Sequence, residues 1–238
     1  MSEEGRSRRR QFEEDFRPLE EDERVLKARS ADGEMLAVLC YDPSPKVATA
    51  VVENPRVGLD HARLLAEHHR TGFGLEQVGR RVEFLRDAQV QRLLLRNPQC
   101  SAVLLQRILL PKRMGDVYRL TTNRETTEKV RSTARKDFRK KFAAGAAEER
   151  VRLILQCEGR CLPMLVGVAL DGKATALLCQ RPLTSTLLIQ NLARWPSTPP
   201  PVLQHLARQP MVQRNVQLKN LVLSHPNTPA QLKSGRWR

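Results

Sequence analysis

The sequence has few aromatic residues and no long apolar run. Aromatic side chains make up only 4% of its 238 residues, whereas hydrophobic residues make up 40%. Leu, Val and Ala must therefore form most of a folded core, which favours short packed helices over aromatic-rich barrels or base-stacking pockets. No apolar run reaches the roughly 18 residues that span a bilayer. The sequence predicts no membrane span.

Signals for export and for a disulfide framework are also missing. The N-terminal residues MSEEGRSRRRQFEEDF contain no apolar signal core, so we expect a cytoplasmic protein. The five cysteines are irregularly spaced. In a protein without an export signal, this spacing predicts reduced thiols.

The cysteines and histidines do not follow the spacing of a metal site. Cys157 and Cys161 stand four residues apart, Gly159 is expected to break the helix between them, and Cys179 follows without a fourth ligand. We expect these thiols to be small core residues, with no metal or other cofactor. The histidines form no zinc-binding pair and have no nucleophile beside them. The sequence therefore predicts surface histidines and no catalytic residue, so the chain is not expected to be an enzyme.

Positive charge collects in the C-terminal half of the chain. Residues 110–142 hold 11 bases and 4 acids, and residues 143–238 hold 12 bases and 4 acids, in a chain of formal net charge +15. Such a field favours nucleic acid, anionic lipid or an acidic protein as partner. Codon bias is the alternative explanation, because Arg outnumbers Lys about three to one, as a GC-rich bacterial genome would produce.

The prolines form a pattern that predicts a helical repeat. Five of them recur in one local pattern: Asn54-Pro55, Asn97-Pro98, Arg181-Pro182, Trp195-Pro196 and His225-Pro226. Four residues before each proline stands an aliphatic residue: Val51, Leu94, Leu178, Leu192 and Val222. Each turn therefore joins two short helices whose apolar faces need neighbours to bury them.

Hydroxyl residues after these turns are the expected helix caps. Thr198 and Thr228 precede Pro199 and Pro229, so we expect the threonines to be N-caps and the prolines to open the helices. Ser101 and Ser185 are expected to cap one position later in their turns.

These motifs resemble the leucine-rich repeat variant family, which is close to HEAT-like repeats. The matching residues are Asp42, Pro43, Val47, Val51, Asn54 and Pro55 near the front, and Leu192, Ala193, Pro196, Thr198, Pro199, Leu206, Ala207, Pro226, Thr228, Pro229 and Leu232 near the back. The resemblance implies an all-α, right-handed α-α superhelix, or solenoid, of short helical repeats. A member of that family carries an iron–sulfur cluster on N-terminal cysteines. This chain has only Cys40 among its first 99 residues, so the cluster is not expected here.

The pattern also predicts how the chain is organised. Residues 1–17 alternate charge without periodicity, which predicts a disordered tail. Residues 18–234 are expected to form a single helical-repeat domain with an irregular basic middle at 112–170. Residues 235–238 are expected to be a frayed tail.

A basic helix is predicted within this irregular middle. In residues 124–142, the apolar residues Val130, Ala134, Phe138 and Phe142 recur every four positions. Basic residues form a second stripe beside them, and the candidate anion- or partner-binding residues are Arg131, Arg135, Lys136, Arg139 and Lys140. Phosphate contacts require only such positive charge. The alternative is a solvated helix face in an Arg-rich protein.

Three functions are compatible with these observations. The first is a non-enzymatic interaction scaffold that binds an acidic protein partner, since helical stacks expose long concave surfaces. The second is a nucleic-acid-binding module that contacts the phosphate backbone. The third is a DNA glycosylase of the HEAT-like type. That activity needs an acid and aromatic walls at the base, and both residue types are scarce in the C-terminal half.

Overall fold

The computed structural model describes residues 3–234, and all regular elements in that range are helical. The prediction of an all-α fold is confirmed. The predicted frayed tail at 235–238 lies outside the described residues, as do the first two residues of the predicted N-terminal tail.

The chain divides into two compact units. The first runs to Lys112 and includes Arg119–Ala134, and the second comprises Arg113–Tyr118 and continues from Arg135. The single domain that the sequence predicts over residues 18–234 stays a prediction. None of the five proline turns falls between Pro98 and Pro182, and the residues at which the chain changes from one unit to the other lie in this stretch.

The first unit consists of short helices packed in pairs. Its elements are α1 Glu3–Gln11, a π-helical turn Phe12–Phe16, α2 Glu21–Ser30, α3 Gly33–Leu39, α4 Pro45–Glu53, α5 Leu59–His68, α6 Gly72–Arg80, α7 Val82–Arg86, α8 Ala88–Arg96 and α9 Ala102–Leu109. Helix α2 packs on α4, α4 on α6, and α5 on α8.

Two helices contribute residues to both units, and the second unit then continues with short helices. The shared helices are α10 Met114–Thr122 and α11 Glu128–Ala144. The remaining elements are α12 Ala147–Gln156, a 3₁₀ turn Leu162–Leu165, α13 Gly172–Cys179, α14 Thr186–Arg194, α15 Pro200–Ala207, α16 Pro210–Arg214, α17 Val216–Ser224 and α18 Ala230–Lys233. Helix α12 packs on α13, α13 on α15, and α14 on α17.

The aliphatic residues in register with the proline turns form the cores of the two units. All five residues that stand four positions before a proline have no solvent exposure: Val51, Leu94, Leu178, Leu192 and Val222. The register predicted from the sequence is therefore confirmed. Each short helix buries this face against its neighbours, which supplies the stability that an eight- or nine-residue helix lacks alone.

A buried asparagine joins successive layers of the first unit. The Asn54 side chain donates to the carbonyl oxygens of Ala28 and Ala31 at 2.8 and 2.9 Å, and its oxygen accepts from the backbone N–H of Arg56 at 2.8 Å. The same side chain thus shapes its own proline turn and satisfies carbonyls at the end of α2.

Asn97 repeats this arrangement one layer later. Its side chain donates to the carbonyl oxygens of Ala66 and His69 at 3.0 Å and accepts from the backbone N–H of Gln99 at 3.0 Å. Both asparagines are buried. The equivalence of the two contact sets shows that the Asn-Pro turns are the same structural unit.

Histidine performs the corresponding role in the second unit. His225 is buried, its Nδ1 accepts from the backbone N–H of Asn227 at 3.1 Å, and its Nε2 donates to the carbonyl oxygen of Trp195 at 2.9 Å. His69 is also buried, and burial lowers its pKa. The prediction of surface histidines is wrong for these two residues, because the His225 ring reaches the turn of the neighbouring layer and the His69 ring packs against Gly74 in α6.

The capping predictions have different outcomes for serine and for threonine. The hydroxyls of Ser101 and Ser185 cap α9 and α14 by accepting from the backbone N–H groups of Leu104 and Leu188, so the serine prediction is confirmed. The threonine prediction is wrong. Two hydroxyls point back and donate to the carbonyl ends of the preceding helices, Thr198 to Leu192 at 2.6 Å and Thr228 to Val222 at 2.5 Å.

Pro199 and Pro229 occupy the N-cap positions of α15 and α18, so neither opens its helix as predicted. Proline has no side-chain acceptor for the N–H groups at the start of a helix, which lack intrahelical partners. The preceding threonines are each six residues beyond the carbonyl that they reach. Unpaired carbonyls at a helix end are therefore the groups that these hydroxyls satisfy.

Residues 3–16 are helical, whereas the sequence predicts a disordered tail over residues 1–17. Phe12 and Phe16 are buried in the first unit, and Arg8 pairs with Glu34 through two hydrogen bonds of 2.7 and 3.0 Å. The two aromatic residues stand one helical turn apart, so one face of an otherwise charged segment is apolar. In the sequence, the alternating charges around Phe12 and Phe16 obscure this apolar pattern.

Replacing Asn97 with Ala should destabilise the first unit. The change leaves the carbonyls of Ala66 and His69 without their donor, and unsatisfied buried groups cost about 1–3 kcal/mol each. Urea unfolding followed by circular dichroism should show a loss of about 3 kcal/mol. Asn220→Ala, at an exposed position of α17, is the control and should change stability little. Equal stability of the two variants would contradict the layer-joining role.

Replacing Phe12 with Ala should release the N-terminal helix. Truncating a buried Phe costs about 3–5 kcal/mol, and α1 depends on this contact with the core. Limited trypsin digestion should then cut faster after Arg8, Arg9 and Arg10. Leu26→Ala removes a side chain that is 64% exposed and should leave the cleavage rate unchanged. Rapid cleavage of the unaltered chain at these arginines would show that the segment is not folded.

Candidate interaction surface

The predicted apolar stripe of α11 is the face that holds this helix. Val130, Ala134, Phe138 and Phe142 all have no solvent exposure. Within the second unit the Phe138 ring lies 5.5 Å from the ring of Tyr118 and 5.9 Å from that of Phe142, measured between centroids. The amphipathic pattern is therefore confirmed, and the basic residues occupy the remaining faces.

Arg131 has an intramolecular role. Its guanidinium donates to the carbonyl oxygens of Asn123 and Thr126, the first at 3.3 Å and the second at 2.5 Å, and pairs with Glu128 at 2.9 Å. These contacts close the loop that precedes α11. The residue is thus committed to the fold and contributes little to a binding surface.

The other four candidate residues differ in their surroundings. Arg135 is half-buried, and Arg139 donates to the carbonyl oxygen of Val166 at 2.8 Å while its side chain stays exposed. Lys136 and Lys140 are exposed, and neither makes an ion pair with any residue within 3–234. The predicted five-residue binding face is therefore reduced to an exposed lysine pair one helical turn apart, with Arg139 beside it.

Most acids of the second unit are already paired with bases. The ion pairs are Asp137 with Lys141 at 3.7 Å, Glu148 with Lys173 at 2.6 Å, Glu158 with Arg160 at 3.1 Å, and Asp171 with the buried Arg150. Paired residues contribute little net field. The charge surplus of this unit therefore comes from bases elsewhere.

The surplus is concentrated in what we call the acid-free segment, residues 172–234, which contains no Asp or Glu. Five of its bases are exposed and make no ion pair in the part of the chain that the structure describes: Arg181, Arg194, Arg208, Arg214 and Lys233. Each stands at or just beyond the C-terminal end of a helix. This position is favourable for a cation, because the helix dipole is negative there.

Two of these arginines come from adjacent loops. His205 Nε2 donates to the carbonyl oxygen of Arg181 at 2.8 Å, and the backbone N–H of Leu183 donates to Gln209 Oε1 at 3.3 Å. These contacts place the chain around Arg181 against the last turn of α15, where Arg208 lies. Sequence reasoning missed this pair because it counted charge over residues 143–238 as a whole. A search for windows without acids would have found the segment.

The first unit contains a cleft lined by both bases and acids. The cleft has a volume of about 660 Å³ and is lined by four arginines among other residues. Within it, Arg17 pairs with Glu13, and Arg24 pairs with the buried Asp42 at 2.7 Å. Glu13 and Glu67 also line the cleft, so acids lie among its bases, whereas the acid-free segment contains none.

The thiols are placed mostly as core residues. Cys40, Cys100 and Cys161 are buried, and Cys157 and Cys179 are half-buried. Burial raises the pKa of Cys100 to about 12. Within residues 3–234, no three or more His, Cys, Asp or Glu side chains are grouped so that they could hold a metal ion.

No protein-family model, curated protein or solved structure matches this chain. The resemblance to the leucine-rich repeat variant family therefore stays a prediction. Of the helices within the described residues, none combines the length and apolar character needed to cross a membrane.

The division of roles along α11 can be tested by stability. Arg131→Ala should lower the free energy of unfolding by about 2 kcal/mol, because two backbone carbonyls lose a charged donor. Lys136→Ala, five residues along the same helix, removes an exposed side chain and should stay within about 0.5 kcal/mol of the parent. Chemical denaturation of both variants checks this. Equal losses would show that Arg131 is as free as Lys136.

Proposed function

We propose that this chain is a non-enzymatic helical-repeat protein that binds an acidic protein partner on the acid-free segment of its second unit. The observation that carries the proposal is that residues 172–234 expose five unpaired bases and contain no acid. Such a surface attracts a negatively charged partner and repels a positive one.

The proposal includes a right-handed α-α superhelix of the leucine-rich repeat variant type. Packing within the second unit supports it, since α13 lies on α15 and α14 on α17. The turn at Pro196 is also bonded to the next turn, because the Asn227 side chain donates to the carbonyls of Pro196 and Thr198 at 3.1 and 3.0 Å. Repeated layers of this kind present the same edge at each step, which suits an extended partner.

The spacing of the bases favours a protein over a nucleic acid. The exposed cations occur singly, about one for each helix, whereas phosphate backbones are bound by dense clusters of Lys and Arg. Between them lie exposed amide side chains that can both donate to and accept from a peptide backbone: Gln213, Gln217, Asn220 and Gln231.

Aromatic residues give no support to base recognition. Trp195 is the single aromatic residue of the acid-free segment, and it is buried. Stacking of single-stranded bases needs exposed aromatic rings. Phosphate binding by the same arginines is the competing function, and base excision is disfavoured because three of the four acids in residues 143–238, Glu148, Glu158 and Asp171, are already in ion pairs and only Glu149 is not.

A charge-reversal experiment tests the proposal. Arg181→Glu with Arg208→Glu should weaken binding of a fluorescent acidic peptide, such as a glutamate-rich 20-mer, by at least about tenfold at 0.15 M salt. Two close charge contacts become repulsive, at roughly 1 kcal/mol each in a screened surface site. The matched control is Arg29→Glu with Arg86→Glu, which reverses two exposed helix-end arginines of the first unit.

Both double variants have the same net charge. Each Arg→Glu change removes two charge units, so the two changes together lower the net charge from +15 to +11. Equal weakening by the two variants would assign binding to net charge and contradict the proposed surface. Duplex and single-stranded DNA are titrated in parallel. Tighter DNA binding with a steep salt dependence, abolished by the Arg181 and Arg208 changes, would replace the acidic protein with nucleic acid as the partner.

A further inference from the structure

The cleft of the first unit is lined by two residues whose buried polar atoms have no partner. The cleft has a volume of about 660 Å³, and Tyr41 and His69 are part of its wall. Neither the Tyr41 hydroxyl nor the His69 Nε2 makes a hydrogen bond with any residue in the range 3–234, although both atoms are buried. Buried polar groups in native proteins are nearly always hydrogen-bonded. Two such groups at one cleft therefore point to a ligand that pairs with them.

The unpaired nitrogen of His69 is a donor. The Nδ1 of this ring accepts from the backbone N–H of Thr71 at 3.2 Å, and burial lowers the pKa of His69, so the ring is neutral at neutral pH. A neutral imidazole whose Nδ1 accepts a hydrogen bond carries its proton on Nε2. His225 makes the equivalent Nδ1 contact, and its Nε2 donates to the carbonyl of Trp195 at 2.9 Å. Within the described part of the first unit, the Nε2–H of His69 has no such acceptor.

Tyr41 contributes a second donor and part of an apolar wall. Burial raises the pKa of Tyr41, so its hydroxyl stays protonated at neutral pH. The Tyr41 ring stacks on the ring of His68, with the centroids 4.8 Å apart and the planes at 22°. Burial lowers the pKa of His68, so this stacked pair is uncharged. Both rings line the cleft together with Phe12.

Two arginines at the cleft are available to an anion. Arg9 and Arg70 line it, are exposed, and make no ion pair with the residues that the structure describes. The other two arginines of the wall are in the ion pairs described above. Glu67 also lines the cleft, and its carboxylate lies 3.9 Å from the Nε2 of the uncharged His68. One carboxylate offsets only part of the charge of two guanidinium groups, so the wall keeps a positive charge.

The size of the cleft and its donors indicate the class of ligand. Sites for small molecules occupy roughly 300–1,000 Å³, and this cleft lies within that range and exceeds the volume of a lone oxyanion. Its available groups are all donors: two guanidinium groups, an imidazole N–H and a phenol. A phosphate monoester offers three acceptor oxygens and a charge of about −2 at neutral pH, whereas a carboxylate offers two oxygens and one charge. The aromatic wall suits a planar organic group.

We propose that this cleft binds a small organic phosphate that carries an aromatic ring. Arg9 and Arg70 hold the phosphate together with the Tyr41 hydroxyl and the His69 Nε2–H, and the ring of the ligand lies against the aromatic wall. The site belongs to the first unit and uses no residue of the acid-free segment. It is therefore independent of the proposed binding of an acidic protein.

Isothermal titration calorimetry of the full chain with phenyl phosphate tests this site. We expect one binding site with a dissociation constant of about 1 mM or below. Arg9→Ala with Arg70→Ala should weaken binding at least about tenfold, because two charged donors are lost. The matched control is Arg29→Ala with Arg86→Ala, which removes two exposed arginines of the first unit that do not line the cleft. Each pair of changes removes two positive charges, so both variants fall from +15 to +13.

Tyr41→Phe separates binding from folding. The change removes a hydroxyl that has no partner among residues 3–234, so urea unfolding should show no loss of stability. Binding of phenyl phosphate should nevertheless weaken about tenfold, because the phosphate loses a donor. Unchanged binding by this variant would remove the hydroxyl from the site.

The unaltered chain supplies the outcomes that overturn the proposal without any variant. Absence of saturable binding of phenyl phosphate at about 10 mM overturns it, as does equal weakening by the cleft and control pairs of arginine changes. Benzoate binding as tightly as phenyl phosphate overturns the choice of phosphate, and inorganic phosphate binding as tightly overturns the role of the aromatic wall. Binding to vesicles that contain phosphatidic acid, with no binding of free phenyl phosphate, would assign the arginines to a membrane surface instead.

Discussion

In the turns at Asn54 and Asn97, a single amide side chain serves two layers of helices. Its oxygen accepts from a backbone N–H two residues on, and its nitrogen donates to two carbonyls of the preceding layer. Helix ends leave carbonyls without intrahelical partners, and burying such groups unpaired costs about 1–3 kcal/mol each. Layers of short helices can therefore pack closely only where a side chain meets these carbonyls. In the second unit the Nε2 of His225 does so by donating to the carbonyl of Trp195, while its Nδ1 accepts from the backbone N–H of Asn227.

This constraint determines where the chain can vary. The aliphatic residue four positions before each proline faces the core, as does the residue directly before the proline in every one of the five turns except that of Pro182, where Arg181 is exposed. The helix C-terminal ends beside the turns remain exposed, and a base there is favoured by the helix dipole. Arg194 and Arg208 occupy such positions. The same geometry that stacks the layers therefore repeats a site for positive charge, and the absence of acids over residues 172–234 leaves that charge unbalanced.

Local patterns in the sequence predict the features that depend on short spacings. The buried register at Leu94 and Val222 and the serine cap at Ser101 follow from distances of a few residues along the chain. The roles of His225 and Thr198 could not be predicted in this way. His225 donates to a carbonyl 30 residues earlier. Thr198 stands between two helices, and its hydroxyl donates to an unpaired carbonyl of the preceding one. At Phe12 the surrounding charge conceals a buried face, because an amphipathic helix with one narrow apolar stripe has the composition of a disordered segment. The division into two units depends on which surfaces pack, and periodicity does not contain that information.

Sequence charge predicts a field, and only the structure shows which charges are free to produce it. The five candidate binding residues of α11 are all basic, yet their surroundings differ. Arg131 donates to backbone carbonyls that precede the helix, while Lys136 and Lys140 are exposed to solvent. A similar limit applies to Cys157. The expectation that Gly159 ends the helix is confirmed, since α12 stops at Gln156 and the chain turns through a positive φ at Gly159. The sequence treats that break as an argument against paired thiols, because it removes the helical spacing. In the structure two hydrogen bonds fix the turn that follows the break: the backbone N–H of Gly159 donates to the carbonyl of Ile154 at 2.8 Å, and the Asn191 side chain donates to the carbonyl of Glu158 at 2.8 Å. The second contact joins residues 33 positions apart, so no local pattern in the sequence could predict it.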